Sequence, residues 1–442
     1  MAIRHDRLRF IIINMKPVTR TATLVLILVG LVGCAVNPVT GERELSLFDE
    51  RWELTTGEQY YAPLRQQQGG DFVLDQELVT YVQEVGQRVA AEAPRQLPYE
   101  FSVINSSVPN AWALPGGKIS INRGLLTEME SEAELAAVLG HEVAHAAARH
   151  SAQQQSRAAL AQGAVLIGGV AVGVATERQD YAMVAVLGGM LGAQLISQRY
   201  SRNAEREADY FGTRWMHAAG YNPQGAVSLQ QSFVRLSEGR DPGFLDGLFA
   251  SHPPSRERVV NNQRLAEELG REGIIGEDRY QQMIARIKAL EPAYEAHDKG
   301  RRALAQGNFD EALAAADEAL GIEDGEALFH SLRGDALASK SRYADAEAAY
   351  SRALARDDSW FYHHLRRGMV REQQRDFANA RIDLRNSVDL LPTAQGHYFL
   401  GNVERASGNR QAAIENYRIA AQSDDDTGQR ARRALADMGA GS

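Results

Sequence analysis

Apolar residues along this chain follow a helical spacing over most of its length. They recur every three or four positions around Asp75–Ala91 and almost everywhere after Ser131, as they do on the buried side of an amphipathic helix. Only Tyr99–Asn122 alternates like strands, with a turn signal at Pro115-Gly116-Gly117. The pattern predicts a mainly α protein with one small β-sheet.

An internal repeat occupies residues 291–442. Glycines recur at intervals of 34, 34 and 33 residues, and an alanine follows each glycine by twelve positions. The glycines are Gly300, Gly334, Gly368 and Gly401, and the alanines are Ala312, Ala346, Ala380 and Ala413. This period resembles the tetratricopeptide repeat, in which two antiparallel helices cross closely where side chains are small. We expect an α-solenoid of about four repeats with a capping helix over Gln429–Met438; an unrelated alanine-rich bundle is the alternative.

Composition narrows the class of protein. Of the 442 residues, 44% are hydrophobic and 24% are charged, which argues against a disordered or wholly membrane-embedded chain. The net charge of −9 argues against a nucleic-acid binder that relies on a basic surface. The single cysteine, Cys34, excludes an intramolecular disulfide and a cysteine-rich zinc site.

An apolar segment near the start of the chain has the properties of a leader. Thr21–Gly33 is a run of 13 uncharged residues that follows Lys16 and Arg20. Such a run is too short to span a bilayer alone and has the length of the apolar part of a signal peptide. Residues 1–33 are therefore predicted to be a signal peptide, with Met15 as a second candidate for its start.

The cysteine stands directly after this segment. Leu31-Val32-Gly33-Cys34 resembles the bacterial lipobox, which precedes a cysteine that carries lipid. We therefore expect Cys34 to be lipidated and residues 34–56 to form a polar tether. Ala35 in place of aspartate resembles Gram-negative lipoproteins of the outer membrane, so the expected location is the periplasmic side of that membrane. An ordinary secretory peptide with a chance cysteine, or a short anchor helix, is the alternative.

The clearest candidate chemistry is an H-E-x-x-H motif at His141-Glu142-Val143-Ala144-His145. Ser131 and Glu134 predict a capping box at the start of the helix that contains it. Positions i and i+4 share a helix face, so both imidazoles can reach one metal ion while Glu142 lies beside the open position. Two surface histidines on an amphipathic helix are the alternative.

A catalytic zinc site of this kind needs a third protein ligand. The metzincin pattern would place glycine and histidine where this sequence has Ala148 and Ser151, so it does not apply. His150 is one position off that register and is interpreted as a helix-end residue.

A second helix offers carboxylates instead. Glu205 and Asp209 are four residues apart and share a face, so one can bind the metal while the other orients a ligand. Glu207 is expected to point elsewhere. By itself, this stretch is also typical of an ordinary charged helix start.

Four motifs together resemble one peptidase family. They are Asn110-Ala111-Trp112-Ala113-Leu114-Pro115-Gly116-Gly117, the H-E-x-x-H motif, Ser201–Asp209, and Ser251-His252-Pro253-Pro254 with Arg258. Their order is that of the HEXXH metallopeptidases of HtpX and the CAAX prenyl endopeptidases, and the whole chain is most similar to the periplasmic BepA-type branch. The motifs cover residues 37–290, and the only departure is Trp112, where phenylalanine is usual.

The resemblance implies a zincin-like (gluzincin) domain over residues 57–290, ahead of the repeats. It implies one zinc ion per chain, with His141 and His145 as ligands, Glu205 as the third ligand and Asp209 as its outer partner. Glu142 would act as the general base. His252 would approach the metal, either to stabilise the oxyanion or to occupy the water position and inhibit the enzyme.

The implied function is hydrolysis of misfolded or stalled cell-envelope proteins, with the repeats recruiting substrate or outer-membrane assembly machinery. An extended substrate is expected to pair with the strand edge formed by Asn110, Ala111, Trp112, Ala113 and Leu114; a structural hairpin is the alternative. The competing interpretation of the whole chain is a lipid-anchored repeat scaffold or chaperone with a silenced metal site.

Two glycine- and alanine-rich stretches, Gly163–Ala175 and Ala182–Ile196, separate the metal-binding motifs. Each is shorter than a membrane span. A buried hairpin or a lid over the cleft is expected, and membrane-dipping helices are the alternative.

Overall fold

The computed structural model describes residues 34–161, 199–239 and 252–440. The predicted signal peptide and the two stretches within 163–196 lie outside these ranges. The described part is mainly α-helical with a small sheet, which confirms the predicted fold class. Its strands are β1 (Cys34–Val36), β2 (Arg43–Leu45), β3 (Glu100–Ile104), β4 (Ala111–Leu114) and β5 (Lys118–Asn122).

Nine helices are described before the repeats. They are α1 (Glu50–Gln68), α2 (Gln76–Ala90), α3 (Arg123–Leu126), α4 (Glu132–Ala147), α5 (His150–Ala161), α6 (Arg202–Ala218), α7 (Gln224–Gly239), α8 (Arg256–Leu269) and α9 (Glu277–Ala289). None of the described helices of the chain combines the length and the apolar character that crossing a bilayer requires.

The main sheet has the strand order β3-β5-β4. The strand β5 runs parallel to β3 and antiparallel to β4, with Phe101 opposite Ile119 in the first pair. The turn between β4 and β5 uses Gly116 and Gly117, whose φ angles of 80° and 87° lie in the left-handed region that favours glycine. Within the described ranges, β4 therefore forms one edge of the sheet.

The segment expected to be a tether is structured instead. The strands β1 and β2 pair antiparallel, and α1 already begins at Glu50, with the Asp49 side chain accepting from the Trp52 amide. The Leu47 amide donates to Ser156 Oγ on α5 at 2.9 Å. The sequence did not predict this ribbon, because three-residue strands are too short to show an alternating pattern.

The core of the region before the repeats lies between the sheet, α2 and α4. Fifteen of the sixteen residues of α4 are buried, and Val89, Ile119 and Leu139 are among the core residues that are fully buried. The helices α4 and α6 approach closely where Gly140 meets Gly212: a Cβ added at Gly212 would lie 2.7 Å from the Gly140 carbonyl oxygen. This contact sets the spacing of the two motif-bearing helices.

The predicted repeats are observed as four helical hairpins and a final helix. The hairpins are α10–α11 (Glu291–Ala305, Phe309–Ile322), α12–α13 (Ala327–Ser339, Tyr343–Leu354), α14–α15 (Phe361–Gln373, Phe377–Leu390) and α16–α17 (Ala394–Ala406, Arg410–Ala420), followed by α18 (Asp426–Asp437). A Cβ at Gly334 would lie 2.6 Å from the Tyr350 ring, so small residues are needed at these helix crossings. The final helix begins three residues before the predicted cap.

Candidate metal centre

The helix α4 presents the H-E-x-x-H motif near its C-terminal end. The Ser131 side chain caps the helix by accepting from the Glu134 amide at 3.2 Å. Glu134 accepts from the Glu130 amide at 2.8 Å rather than completing the predicted reciprocal contact with Ser131. One helical period then places His141 and His145 on the same face, with their Nε2 atoms 3.0 Å apart.

Four candidate donors converge at this face. One ligand atom from each of His141, His145, Glu205 and His252 lies within 4.8 Å of the other three. The Glu205 carboxylate oxygens lie 3.5 Å from His141 Nε2 and 3.4 Å from His145 Nε2. Two imidazole nitrogens that face each other and a carboxylate satisfy one another's hydrogen-bonding capacity poorly. Imidazole nitrogens and carboxylate oxygens are, however, the ligands by which proteins bind zinc. The residues therefore fit a metal ion.

The His141 ring is held from behind by α6. Its Nδ1 lies 3.0 Å from Asp209 Oδ1, so the Nδ1 proton is donated to the carboxylate and Nε2 faces the cluster. Burial alone would lower the pKa of His141, but the bonds to Asp209 and Glu205 outweigh burial and raise this pKa to about 10. A metal ion would have to displace that proton from Nε2.

A guanidinium stabilises the carboxylates of α6. Arg258, on α8, donates from Nε and Nη2 to the two oxygens of Asp209 at 2.7 Å each, and its Nη1 lies 3.1 Å from Glu205 Oε2. Burial raises the pKa of the Asp209 carboxyl, but the charge of Arg258 and the bonds to it outweigh burial and lower that pKa. Asp209 is therefore ionised and able to hold His141.

The His145 ring is enclosed on two sides. Tyr200 stacks on it with ring centres 4.0 Å apart. His145 Nδ1 lies 2.9 Å from Nδ1 of His150, and His150 Nε2 lies 3.3 Å from Glu207 Oε2. Burial lowers the pKa of His145 well below its ordinary value, so the ring is neutral, as a metal ligand must be.

His150 is the first residue of α5, which is the helix-end position interpreted for it from the sequence. Neither His150 nor Glu207 is among the four candidate donors. What the sequence did not predict is the contacts of His150 with His145 and with Glu207. The signal that could have revealed them is the histidine five positions after His145, but its orientation depends on the turn at Arg149, whose φ is 62°.

Glu142 has the surroundings expected of a proton acceptor beside a metal. Its side chain is buried, and its Oε2 has no hydrogen-bond partner among the described residues. Its Oε1 lies 3.7 Å from His252 Nε2. A buried carboxylate oxygen without a hydrogen-bond partner is unfavourable, and this oxygen is free to accept a proton from a molecule in the adjoining cavity.

His252 lies inside the cluster rather than beside it. Its Nδ1 lies 2.9 Å from Glu205 Oε1 and 3.3 Å from His141 Nε2. It is buried together with Glu205. One ligand atom of His252 therefore lies near enough to those of His141, His145 and Glu205 to share a metal ion with them.

The strand β4 passes close to the cluster. Ala111 lines the same small cavity as His141 and Glu142, whereas Trp112 and Leu114 pack on the opposite side with Tyr61 of α1. The carbonyl oxygen of Asn110 accepts from the Asn122 amide at 2.8 Å. Ala113 lies on the same side of the strand as Ala111 and packs into the main core. Only the Ala111 and Ala113 side of β4 therefore faces the metal-binding helix.

Comparison with known families assigns both parts of the chain. Residues 76–266 match the profile of peptidase family M48, and residues 297–359 match a tetratricopeptide repeat profile. The chain thus contains an M48 metallopeptidase domain followed by tetratricopeptide repeats, which confirms the resemblance found from the motifs.

Individual proteins that are similar to this chain are named as proteases. A putative beta-barrel assembly-enhancing protease of Vibrio cholerae is 31% identical over 222 residues, which are 49% of this chain and 44% of the relative. The mitochondrial metalloendopeptidase OMA1 of Schizosaccharomyces pombe is 32% identical over 180 residues, 40% of this chain and 50% of the relative. The beta-barrel assembly-enhancing protease of Escherichia coli K12 is 25% identical over 49% of this chain and 44% of its own length. The chain spans about half the length of these relatives.

Proposed function

We propose that this chain is a zinc-dependent endopeptidase. The observation that carries the proposal is the convergence of His141, His145 and Glu205 on one point, next to a buried Glu142 with an unbonded carboxylate oxygen. These three residues would hold one zinc ion, which supplies Lewis-acid activation of water and of the scissile carbonyl. Glu142 accepts the proton of the attacking water at Oε2 and delivers it to the leaving amine.

The remaining residues of the site prepare this chemistry. Asp209 keeps the Nε2 lone pair of His141 directed at the metal position. The segment Asn110, Ala111, Trp112, Ala113 and Leu114 lies at a sheet edge, where an extended peptide can pair through backbone hydrogen bonds without a requirement for one sequence. Substrate pairing at this edge would bring the scissile bond toward Glu142.

His252 is proposed to restrain the enzyme. Its ring would act as a fourth ligand and exclude the attacking water until it is displaced. This role is supported by its 2.9 Å contact with Glu205 and its 3.3 Å contact with His141.

The proposed substrates are misfolded or stalled proteins of the cell envelope. The support is the similarity to relatives named for β-barrel assembly and for proteolysis, together with repeats of a kind that bind other proteins. The repeats would recruit substrate or outer-membrane assembly machinery. Lipid on Cys34 would keep the enzyme at the periplasmic side of the outer membrane.

Two variants test the activity. Digestion of casein by the purified chain should fall by about 100-fold or more in Glu142→Gln, because the general base is lost while the ligands remain. Activity that survives this substitution would contradict the proposed site.

His252→Ala should raise basal digestion, and an unchanged or lower rate would contradict the inhibitory role. No digestion by either the wild type or His252→Ala would favour a repeat scaffold with a silenced metal site.

A further inference from the structure

The contact between His145 and His150 constrains where the protons of both rings lie. Their Nδ1 atoms are 2.9 Å apart and both are buried, so one must donate and the other must accept. If His145 uses its Nε2 lone pair for the metal, its own Nδ1 must carry the proton. His150 Nδ1 is then the acceptor, and its Nε2–H donates to Glu207 Oε2, 3.3 Å away.

The two ligating histidines are therefore supported in parallel ways. His141 reaches a carboxylate of α6 directly, at Asp209. His145 reaches another carboxylate of the same helix, Glu207, but through the ring of His150. The His150 side chain is 1% exposed, whereas that of Glu207 is 31% exposed.

The backbone places His150 for this contact. The helix α4 ends at Ala147 and α5 begins at His150, so the chain turns within two residues. Arg149 adopts a φ of 62°, in the left-handed region that costs free energy for a residue other than glycine. Its guanidinium donates to Glu53 and to the Phe48 carbonyl oxygen. These bonds hold the turn that brings His150 back against His145.

We propose that His150 is a positioning residue for the metal centre: its Nδ1 accepts a hydrogen bond from Nδ1–H of His145, its Nε2–H donates a hydrogen bond to Glu207, and together these bonds fix the tautomer and ring orientation of a zinc ligand. This inference rests on the proposed zinc site. Outer partners of ligating histidines commonly change metal affinity by about 10- to 100-fold. A His150 that serves only as core packing would affect folding but not the affinity of the folded protein for zinc.

Two substitutions separate hydrogen bonding from packing. His150→Phe retains a ring but removes both nitrogens. His150→Asn places an amide oxygen near the position of Nδ1, where it can still accept from His145. We expect zinc to bind about 10- to 100-fold more weakly to His150→Phe than to the wild type, and His150→Asn to recover most of that loss.

The measurement is a zinc dissociation constant from competition with a chromophoric chelator. The full chain should carry Glu142→Gln to prevent self-digestion, and circular dichroism should confirm that each variant is folded. The absorption spectrum of Co²⁺ at the same site gives a second readout, which should change in His150→Phe. His363→Phe is the control, because His363 is a fully buried histidine in the repeats, bonded to Ser331; its zinc affinity should equal that of the wild type.

The outcomes distinguish this inference from the proposed function. A folded His150→Phe protein with wild-type zinc affinity and Co²⁺ spectrum would overturn the role of His150 alone. Equal losses in the phenylalanine and asparagine variants would also overturn it, because packing would then explain both. A wild-type chain that binds no zinc would overturn the metal site itself and this inference with it.

Discussion

Arg258 is the residue on which the charge balance of the metal centre depends. It bonds both oxygens of Asp209 and lies 3.1 Å from Glu205, and the side chains of all three are at most 8% exposed. In Arg258→Met, the two carboxylates would remain buried without their cation. We expect a loss of about 3–5 kcal/mol in the free energy of unfolding, as is typical when one partner of a buried ion pair is removed. Urea unfolding of the metal-free protein measures this loss.

The neighbouring Arg256 provides the control for this measurement. Its side chain is 85% exposed and pairs with Glu238 at the surface, so Arg256→Met should change the free energy of unfolding by less than about 1 kcal/mol. Arg258→Lys should fall between the two, because a point charge cannot bond both oxygens as a guanidinium does. Equal stabilities of the Arg258→Met and Arg256→Met proteins would contradict this account.

Sequence reasoning succeeded at this scale where chemistry depends on spacing within one helix. The i and i+4 positions of His141 and His145 follow from helical geometry alone. The contacts of His150 with His145 and Glu207 were not predicted, because they depend on the left-handed turn at Arg149. Such a turn has no periodic signature in the sequence. The ring of Trp112 packs against Tyr61 on the opposite side of the sheet from the metal cluster, so the predicted substrate contact of Trp112 concerns its backbone alone.

At the level of elements, the crossing of α4 and α6 determines whether the metal ligands can meet. Gly212 follows Asp209 by three residues and so lies on the same side of α6. Its absent side chain allows the helix to contact Gly140, the residue before His141. A methyl group at Gly212 would lie 2.7 Å from the backbone of Gly140 and of His141, so α6 would have to move away from α4.

Gly212→Ala should therefore weaken both folding and metal binding. We expect a loss of about 1–3 kcal/mol in stability, as for other overpacked core positions, and weaker zinc binding in the chelator competition. Gly321→Ala is the matched control, because this helical glycine has no atom within 4 Å of an added Cβ. That change should stabilise the protein by up to about 1 kcal/mol. A Gly212→Ala protein with unchanged stability and zinc affinity would show that the crossing tolerates the shift.

For the whole molecule, the repeat period predicted the hairpins but not how they join the rest of the chain. Glu326 of the repeats accepts from Asn105 of the loop after β3 at 3.2 Å and from Tyr294 at 2.7 Å. Arg123 lies over the Tyr294 ring, 3.3 Å from its centre. Asn105 and Arg123 belong to no repeat and precede their partners Glu326 and Tyr294 by 221 and 171 residues, so neither periodicity nor motif spacing could pair them.

The amide of Gln66 makes the most direct connection between the two parts. Its Oε1 accepts from the Phe361 amide at 2.8 Å, and its Nε2 donates to the Ser359 carbonyl oxygen at 2.9 Å. The Trp360 indole donates to the Gln66 backbone carbonyl. Gln66 thus binds the start of α14 through both its side chain and its backbone. Removal of the Gln66 side chain would leave the Phe361 amide and the Ser359 carbonyl oxygen without these partners.

Gln66→Ala should uncouple the repeats from the peptidase domain. Two half-buried backbone groups would lose their partners, at a cost of about 1–3 kcal/mol, and the contact between the two parts would weaken by that amount. Differential scanning calorimetry should show one transition for the wild type and two for Gln66→Ala, because each part retains its own core. Gln67→Ala, on an exposed position of the same helix, should keep the wild-type trace. A single unshifted transition in Gln66→Ala would mean that the contacts of Glu326 and Arg123 suffice to hold the two parts together.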